Sequence, residues 1–237
     1  MQITSITRYP VKSMQGESLD EAPVDQHGIV GDRGWAVVDL VTDKTLTSRR
    51  QPELLFASAR LSGDDVIVTL PDGTETNDDA ALTAWLGHDV ALRRAAADLQ
   101  GTYEIQLDFE TEVGEWFEWQ GPEGSFHDST RTLISLVSAS AMRDWDHRRF
   151  RMNVVVDADG DVDLVGGQVR IGDSGPLLEI TKEVDRCIVT TRPQPGLERD
   201  LDVLRAINAD RSGNLGIGAL IIESGTIAIG DHITTVG

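Results

Sequence analysis

Apolar side chains alternate with polar ones through much of this chain, and the spacing is that of strands more than of helices. In the first half the runs 2–9, 18–24, 34–40 and 65–70 carry β-branched or alternating apolar residues, punctuated by Gly, Asp and Pro. Pro71-Asp72-Gly73-Thr74 has the composition of a hairpin turn. One short helix is expected over 79–86, opened by Asp78 and ended by Gly87. The stretch 99–124 is acidic and mixed, and reads as a connector with one strand in it. Its close aromatics, Trp116, Phe117 and Trp119, read as core or domain-interface packing.

The second half continues in the same style. Strands are expected at 133–137, 153–156, 177–181, 187–191, 217–222, 226–229 and 232–236. Two helices interrupt them, one over 139–146 capped by Ser138 and one opened near Asp200 through Leu201, Leu204, Arg205 and Ile207. Many short strands, glycine turns and few helices predict a mostly β protein with a few helices (α+β), built on a closed or partly closed β-barrel. No fixed-period repeat, heptad or low-complexity tract is present.

Composition narrows the field. At 237 residues the chain has room for one large or two small domains, and 40% hydrophobic with 26% charged residues is ordinary for a globular protein. No apolar run approaches the roughly 20 residues that span a bilayer, and the start lacks the basic-then-apolar layout of a secretory signal. A cytoplasmic protein with no membrane partner is therefore expected. The net charge of −19 argues against a broad nucleic-acid surface. Lysines occur only at 12, 44 and 182, so the arginine clusters Arg49-Arg50, Arg93-Arg94 and Arg148-Arg149-Phe150-Arg151 stand out. Such clusters are either solvated faces or pockets for phosphate and carboxylate, whose geometry the guanidinium fork matches.

Generic catalytic signatures are missing: no phosphate-binding glycine loop, no nucleophile elbow, no zinc motif. The histidines at 27, 88, 127, 147 and 232 are scattered without ligand spacing and read as surface or turn residues. Cys187 is the single cysteine, in Asp185-Arg186-Cys187-Ile188-Val189-Thr190-Thr191. It is an inert core thiol, a nucleophile, or one soft ligand to a metal. Arg186 and the strand-like run behind it place the sulfur at a strand end near positive charge, which favours thiolate. One soft ligand and several arginines, with little acid–base machinery, suit a protein whose cofactor carries the chemistry.

Three ordered groups of segments then converge on one family. Tyr9-Pro10-Val11-Lys12-Ser13 is followed by Gly28-Ile29-Val30-Gly31-Asp32-Arg33-Gly34-Trp35 and Thr47-Ser48-Arg49-Arg50-Gln51-Pro52. Arg149-Phe150-Arg151-Met152-Asn153 and Ile171-Gly172 lead to the Cys187 segment, and Gly225 to Asp231 closes the set. In this order the chain resembles a MOSC protein: an N-terminal MOSC β-barrel domain, here 1–98, packed on a β-barrel-like MOSC domain, here 99–237. It is similar in layout to the mitochondrial amidoxime-reducing component family.

The resemblance implies a molybdenum cofactor, a molybdopterin dithiolene carrying oxo-molybdenum. Cys187 takes the place of the metal ligand and catalytic residue, with Arg186 beside it. Lys12 and Ser13 match residues that hold the pterin phosphate, and Arg33, Arg151 and Asn153 match further cofactor contacts. The segment 129–132 falls near another binding loop and adds Thr130, Arg131 and Thr132. The implied activity is reduction of small N-hydroxylated or N-oxide compounds with electrons from a separate electron-transfer protein. A persulfide carrier on Cys187 and a non-catalytic cofactor-binding module are the alternatives. Taken singly, Lys12 also fits a turn lysine, Arg33 a partner of Asp32 or Asp39, Arg151 a partner of Asp157, and Asn153 a strand-start amide bonding backbone. Departures from the family pattern fall at 161–168, Met152 and Ala219, where they bear on the substrate mouth.

Overall fold

A computed structural model describes residues 1–106, 108, 113–160 and 164–236. Among the described residues strands dominate, with two α-helices, Asp79–Leu86 and Leu201–Arg211. The largest sheet has eight strands, in spatial order Ile233–Val236, Gln168–Ile171, Leu177–Asp185, Asn214–Glu223, Ile134–Ser138, Val154–Val156, Ile3–Arg8 and Glu17–Leu19. All neighbours run antiparallel except Ile134–Ser138 beside Val154–Val156, which is parallel. A parallel pair cannot be joined by a tight hairpin and needs a crossover. That crossover is 139–153, and it carries Arg149 and Arg151.

The sheet curls back on itself. Gln2 bridges His232, and the Ile3 and Ile233 amides donate to Asp231 and Met1 carbonyls at 2.9 Å each. The join is this short bridge, not a full ladder. Inward positions two apart, such as Ile134 and Leu136 or Val154 and Val156, fill the interior with Ile6, Leu178, Ile180 and Ile217.

A second core lies under smaller sheets from the first half. Trp35–Asp39 is flanked by Val90–Arg94 and Lys44–Thr45, and Ser58–Ser62, Asp65–Thr69 and Glu75–Thr76 form another three-stranded sheet. Val37, Leu54, Val66, Val68, Leu82 and Val90 are buried between them. The strands Ile3–Arg8 and Glu17–Leu19 nevertheless pair into the large sheet of the second half. The chain thus starts on the larger sheet, builds the smaller unit and returns. Gln100–Ile105 and Phe117–Glu123 form a separate two-stranded ribbon. Among the described residues no helix is long and apolar enough to cross a membrane.

Local chemistry explains most boundaries. Gly87 ends the first helix at φ 78°, a left-handed conformation that costs glycine little, with its amide on the Thr83 carbonyl at 2.9 Å. Asp200 caps the second by accepting from the Asp202 amide at 3.0 Å. The turn at 71–74 closes with the Leu70 amide on the Thr74 carbonyl.

Four expectations need correction. The run 18–24 is two strands, Glu17–Leu19 and Glu21–Asp25, interrupted at Asp20. The connector 99–124 holds two paired strands in place of one; residues 107 and 109–112 within it lie outside the described residues. The helix expected at 139–146 is only a 3₁₀ turn, Ser140–Met142, because Arg143 adopts φ 56° and cannot continue it. The strand expected at 187–191 is also a 3₁₀ turn, Ile188–Thr191. There the Thr190 and Thr191 hydroxyls donate to the carbonyls of Cys187 and Ile188, at 3.0 and 2.8 Å. β-Branched residues that read as strand instead bond their own preceding turn.

Candidate functional site

The two cores meet along a cleft of about 450 Å³, within the roughly 300–1,000 Å³ of small-molecule and cofactor sites. Lys12, Ser13, Arg33, Thr132, Arg151, Asn153, Arg186 and Cys187 all line it, though they come from segments far apart in the chain. Thr130 and Arg131 do not. Both are exposed, and the Arg131 guanidinium donates to the Thr181 carbonyl at 2.6 Å. Seven basic residues line the cleft against three acidic ones, Glu104, Asp128 and Asp185, in a strongly acidic molecule.

Lys12 sits deeper than a turn lysine. Its side chain is 3% exposed, and its ammonium donates to the Phe126 carbonyl at 3.0 Å and to Asp128 Oδ1 at 2.5 Å. The ammonium also lies 4.3 Å from the centroid of the Tyr103 ring, a cation–π contact. Burial lowers its pKa, and Asp128 works against that loss. The Asp128 carboxylate, by contrast, is 82% exposed. It sits among the cations of the cleft, and Lys12, then Arg33 and Arg151, pull its pKa down to about 2.

Three lining residues hold left-handed backbone without being glycine: Ser13 at φ 71°, Arg33 at 50° and Arg151 at 54°. Such strain persists only where surroundings over-determine it, and it gathers at functional sites. The surroundings here are specific. Ser13 Oγ accepts from the Ser48 amide at 2.8 Å. The Arg33 guanidinium pairs with the buried Asp32 carboxylate and donates to the Arg151 carbonyl at 3.2 Å. Arg151 donates to the Met14 carbonyl. Both guanidiniums lie over the Tyr9 ring, at 4.9 and 4.5 Å from its centroid. Burial, then the nearby Arg33 charge, lower the Arg151 pKa to about 10, so it remains a cation at neutral pH. Among the described residues, no carboxylate pairs with Arg151 at salt-bridge distance.

Asn153 spends its amide inside the protein. Its Oδ1 accepts from the Ser135 amide at 3.1 Å and hydroxyl at 2.9 Å, and its Nδ2 donates to the Thr7 carbonyl at 3.2 Å. It ties three strands of the large sheet together at the cleft floor. Thr132 packs its hydroxyl end against Gly218, where any Cβ would meet it at 2.2 Å.

Cys187 is half-buried and caps the turn Ile188–Thr191. Its predicted activation by Arg186 needs correction. Burial raises the thiol's pKa, and a backbone hydrogen bond from Val189 and the charge of Arg49 oppose that rise more than Arg186 does. The reason is where the Arg186 guanidinium points. It donates to the carbonyls of Phe150 at 2.9 Å and Leu215 at 2.6 Å, and contacts Met152 Sδ at 2.7 Å. Arg186 therefore stitches the crossover to the strand Asn214–Glu223. Arg149 does similar work on the cysteine loop, donating to the carbonyls of Thr190, Arg192 and Glu198.

Several lining residues escaped the sequence reading. Tyr103 stacks on Trp119, centroids 5.4 Å apart and planes 21° apart, so Trp119 faces the cleft. His127 is buried, not a surface residue, and burial drops its pKa to about 4, leaving a neutral ring at physiological pH. The only available signal was the acidic-aromatic connector and the position of His127-Asp128 just ahead of the segment 129–132. Of the departures, Met152 lines the cleft, Ala219 is buried in the core of the large sheet, and residues 161–163 lie outside the described residues.

A curled β-sheet thus presents cations, strained backbone and one thiol to a shared cleft. Residues 1–119 match the MOSC N-terminal beta barrel domain and residues 123–234 match the MOSC domain. The chain belongs to the MOSC family, which is linked to the molybdenum cofactor. It is 39% identical over 56 residues to a molybdenum cofactor sulfurase from Solanum lycopersicum, covering 24% of this chain and only 7% of that protein. The YuaD protein of Bacillus subtilis is similar at a TM-score of 0.45 and 14% identity, over 98% of this chain and 93% of that one. YiiM from Geobacillus stearothermophilus gives a TM-score of 0.38 and 14% identity, over 60% and 75%.

Proposed function

We propose that the cleft binds a molybdenum cofactor and that the protein reduces N-hydroxylated or N-oxide compounds with electrons from a separate protein. The observation that carries this reading is the convergence of Lys12, Arg33 and Arg151 with Cys187 on one cleft. A phosphate-bearing group wants clustered cationic donors, and a soft metal wants a thiolate. The residues fit such a group. Among the described residues no three His, Cys, Asp or Glu gather to hold a metal ion unaided. A metal in this cleft would thus take most of its ligands from the cofactor and one from Cys187.

When bound, the molybdenum cofactor supplies two-electron oxygen-transfer chemistry. The chain's own residues set the conditions. Arg33 and Arg151 hold and orient the anionic end. Burial raises the Cys187 pKa, so the thiol keeps its proton in the cofactor-free protein, and it would hold the metal as thiolate, releasing that proton. Trp119 and Ile105 line the cleft and present apolar surface to a bound group. Asp128 stays ionised near the sulfur and accepts hydrogen bonds without donating a proton.

The second reading is a persulfide carrier on Cys187, favoured by the half-buried, cleft-facing sulfur. Metal, pterin and sulfane-sulfur analysis of protein from a cofactor-competent host separates the two. Molybdenum with pterin is expected, with Cys187→Ser folding normally and losing reduction of a model N-hydroxyl compound. Sulfane sulfur without molybdenum in the wild type, lost in Cys187→Ser, would replace the reductase with the carrier.

A further inference from the structure

We propose that Asp128 sets a charge threshold on the cleft: its carboxylate occupies the anion seat at Lys12, and only a phosphate monoester dianion displaces it. This deepens the cofactor reading and rests on the cleft being an anion site.

The argument starts from Lys12, whose surroundings leave one replaceable partner. The Phe126 carbonyl is backbone, and the Tyr103 ring is pinned by its stack on Trp119 and by the close approach of Gly101 and Gly121. Asp128 differs. Its side chain is 82% exposed, and its hydrogen bond to Lys12 is the contact that holds it. A ligand oxygen can therefore reach the ammonium by taking the carboxylate's place. Arg33 and Arg151 act on the same carboxylate, so the positive field of the cleft converges there.

Charge then decides what can enter. Exchanging one monoanion for another in that field gains almost nothing from Coulomb attraction, while a dianion gains a full extra charge. The seat should accept a phosphate monoester above its second ionisation, near pH 6, and turn away carboxylates and phosphodiesters. Arg33 and Arg151 remain cationic, Tyr103 and Cys187 have raised pKa values, and His127 stays neutral above about 4. Burial lowers the Lys12 pKa and Asp128 opposes that loss, and any protonation of Lys12 on acidification would strengthen anion binding. A loss of binding towards pH 5 thus belongs to the ligand.

The probes are methyl phosphate and dimethyl phosphate, titrated calorimetrically into cofactor-free protein at low salt. Wild type should bind methyl phosphate at pH 7.5, lose it towards pH 5, and show no binding of dimethyl phosphate. Asp128→Asn should bind methyl phosphate about tenfold tighter, equivalent to about 1.4 kcal/mol, and should admit dimethyl phosphate. The gain should vanish when Lys12→Ala is added. In wild type, the Asp128 carboxyl carbon resonance should move with methyl phosphate and stay fixed with dimethyl phosphate. No gain in Asp128→Asn, or equal wild-type affinity for both probes, overturns the threshold. The cofactor reading fails separately: molybdenum and pterin absent from wild type while Asp128→Asn still gains phosphate would leave the seat standing without that cofactor.

Discussion

The two walls of the cleft hold their arginines differently. On one, Arg33 and Arg151 lie over Tyr9 on left-handed backbone; Arg33 pairs with the buried Asp32 carboxylate and donates to the Arg151 carbonyl, and Arg151 donates to the Met14 carbonyl. On the Cys187 wall, Arg149 and Arg186 are buried and donate to backbone carbonyls of the loops they join, with Arg186 over the Phe150 ring. What separates the pairs is strained backbone and the Asp32 carboxylate on the first wall, against a fuller set of carbonyls on the second.

The largest expected effect breaks the second wall. Arg186→Met leaves the Phe150 and Leu215 carbonyls without their donor, and each buried orphan costs about 1–3 kcal/mol. Denaturant unfolding should show a loss of about 2–4 kcal/mol, and a loss well under 1 would place Arg186 among the ligand-facing cations. Lys12→Ala is the counterpart on the first wall. It should lower molybdenum and pterin occupancy about tenfold while destabilising the protein less than Arg186→Met does. Unchanged occupancy would remove Lys12 from the site.

A smaller effect sharpens the contrast through pH. Burial depresses the His127 pKa to about 4, below its unfolded value near 6.5. Between those values the unfolded chain binds a proton that the folded one refuses. Stability should therefore fall as pH drops from 6.5 towards 4, by up to about 1.4 kcal/mol per pH unit from this one group. His127→Gln should flatten that slope, and an unchanged slope would show the histidine to be solvated. The smallest effect concerns the thiol. Because burial raises the Cys187 pKa, iodoacetamide should alkylate it several-fold more slowly at pH 8 than in the unfolded chain, about three- to tenfold. Arg49→Gln should slow it further, since that charge favours the thiolate.

Legibility varied with the range of the interaction that decided each feature. The helix ending at Gly87 and the one capped by Asp200 are set within a turn or two, and these two caps are visible as residues, whereas Asp78 opens the first helix without a side-chain cap bond. Strands such as Ile3–Arg8 and Asp65–Thr69 show their buried face through alternation. The segment 139–146 has helical composition but stops at Arg143, because the crossover must return Val154–Val156 beside Ile134–Ser138. The turn Ile188–Thr191 reads as strand for the same kind of reason: threonine hydroxyls bond backwards once the chain leaves the sheet.

The sequence by itself determined the residue types of the site, one thiol with Lys12, Ser13, Arg33 and Arg151, and the mostly β character of the chain. Those follow from chemistry and from a period of two, which are local. Tertiary structure alone decided what each group does. It paired Lys12 with Asp128, spent the amide of Asn153 on Ser135 and Thr7, turned Arg186 away from Cys187, and brought Tyr103, Trp119 and His127 to the cleft. Charge state and hydrogen-bond partners depend on burial and on neighbours 18 to 146 positions away, and no spacing along a chain encodes these until the sheets fold together.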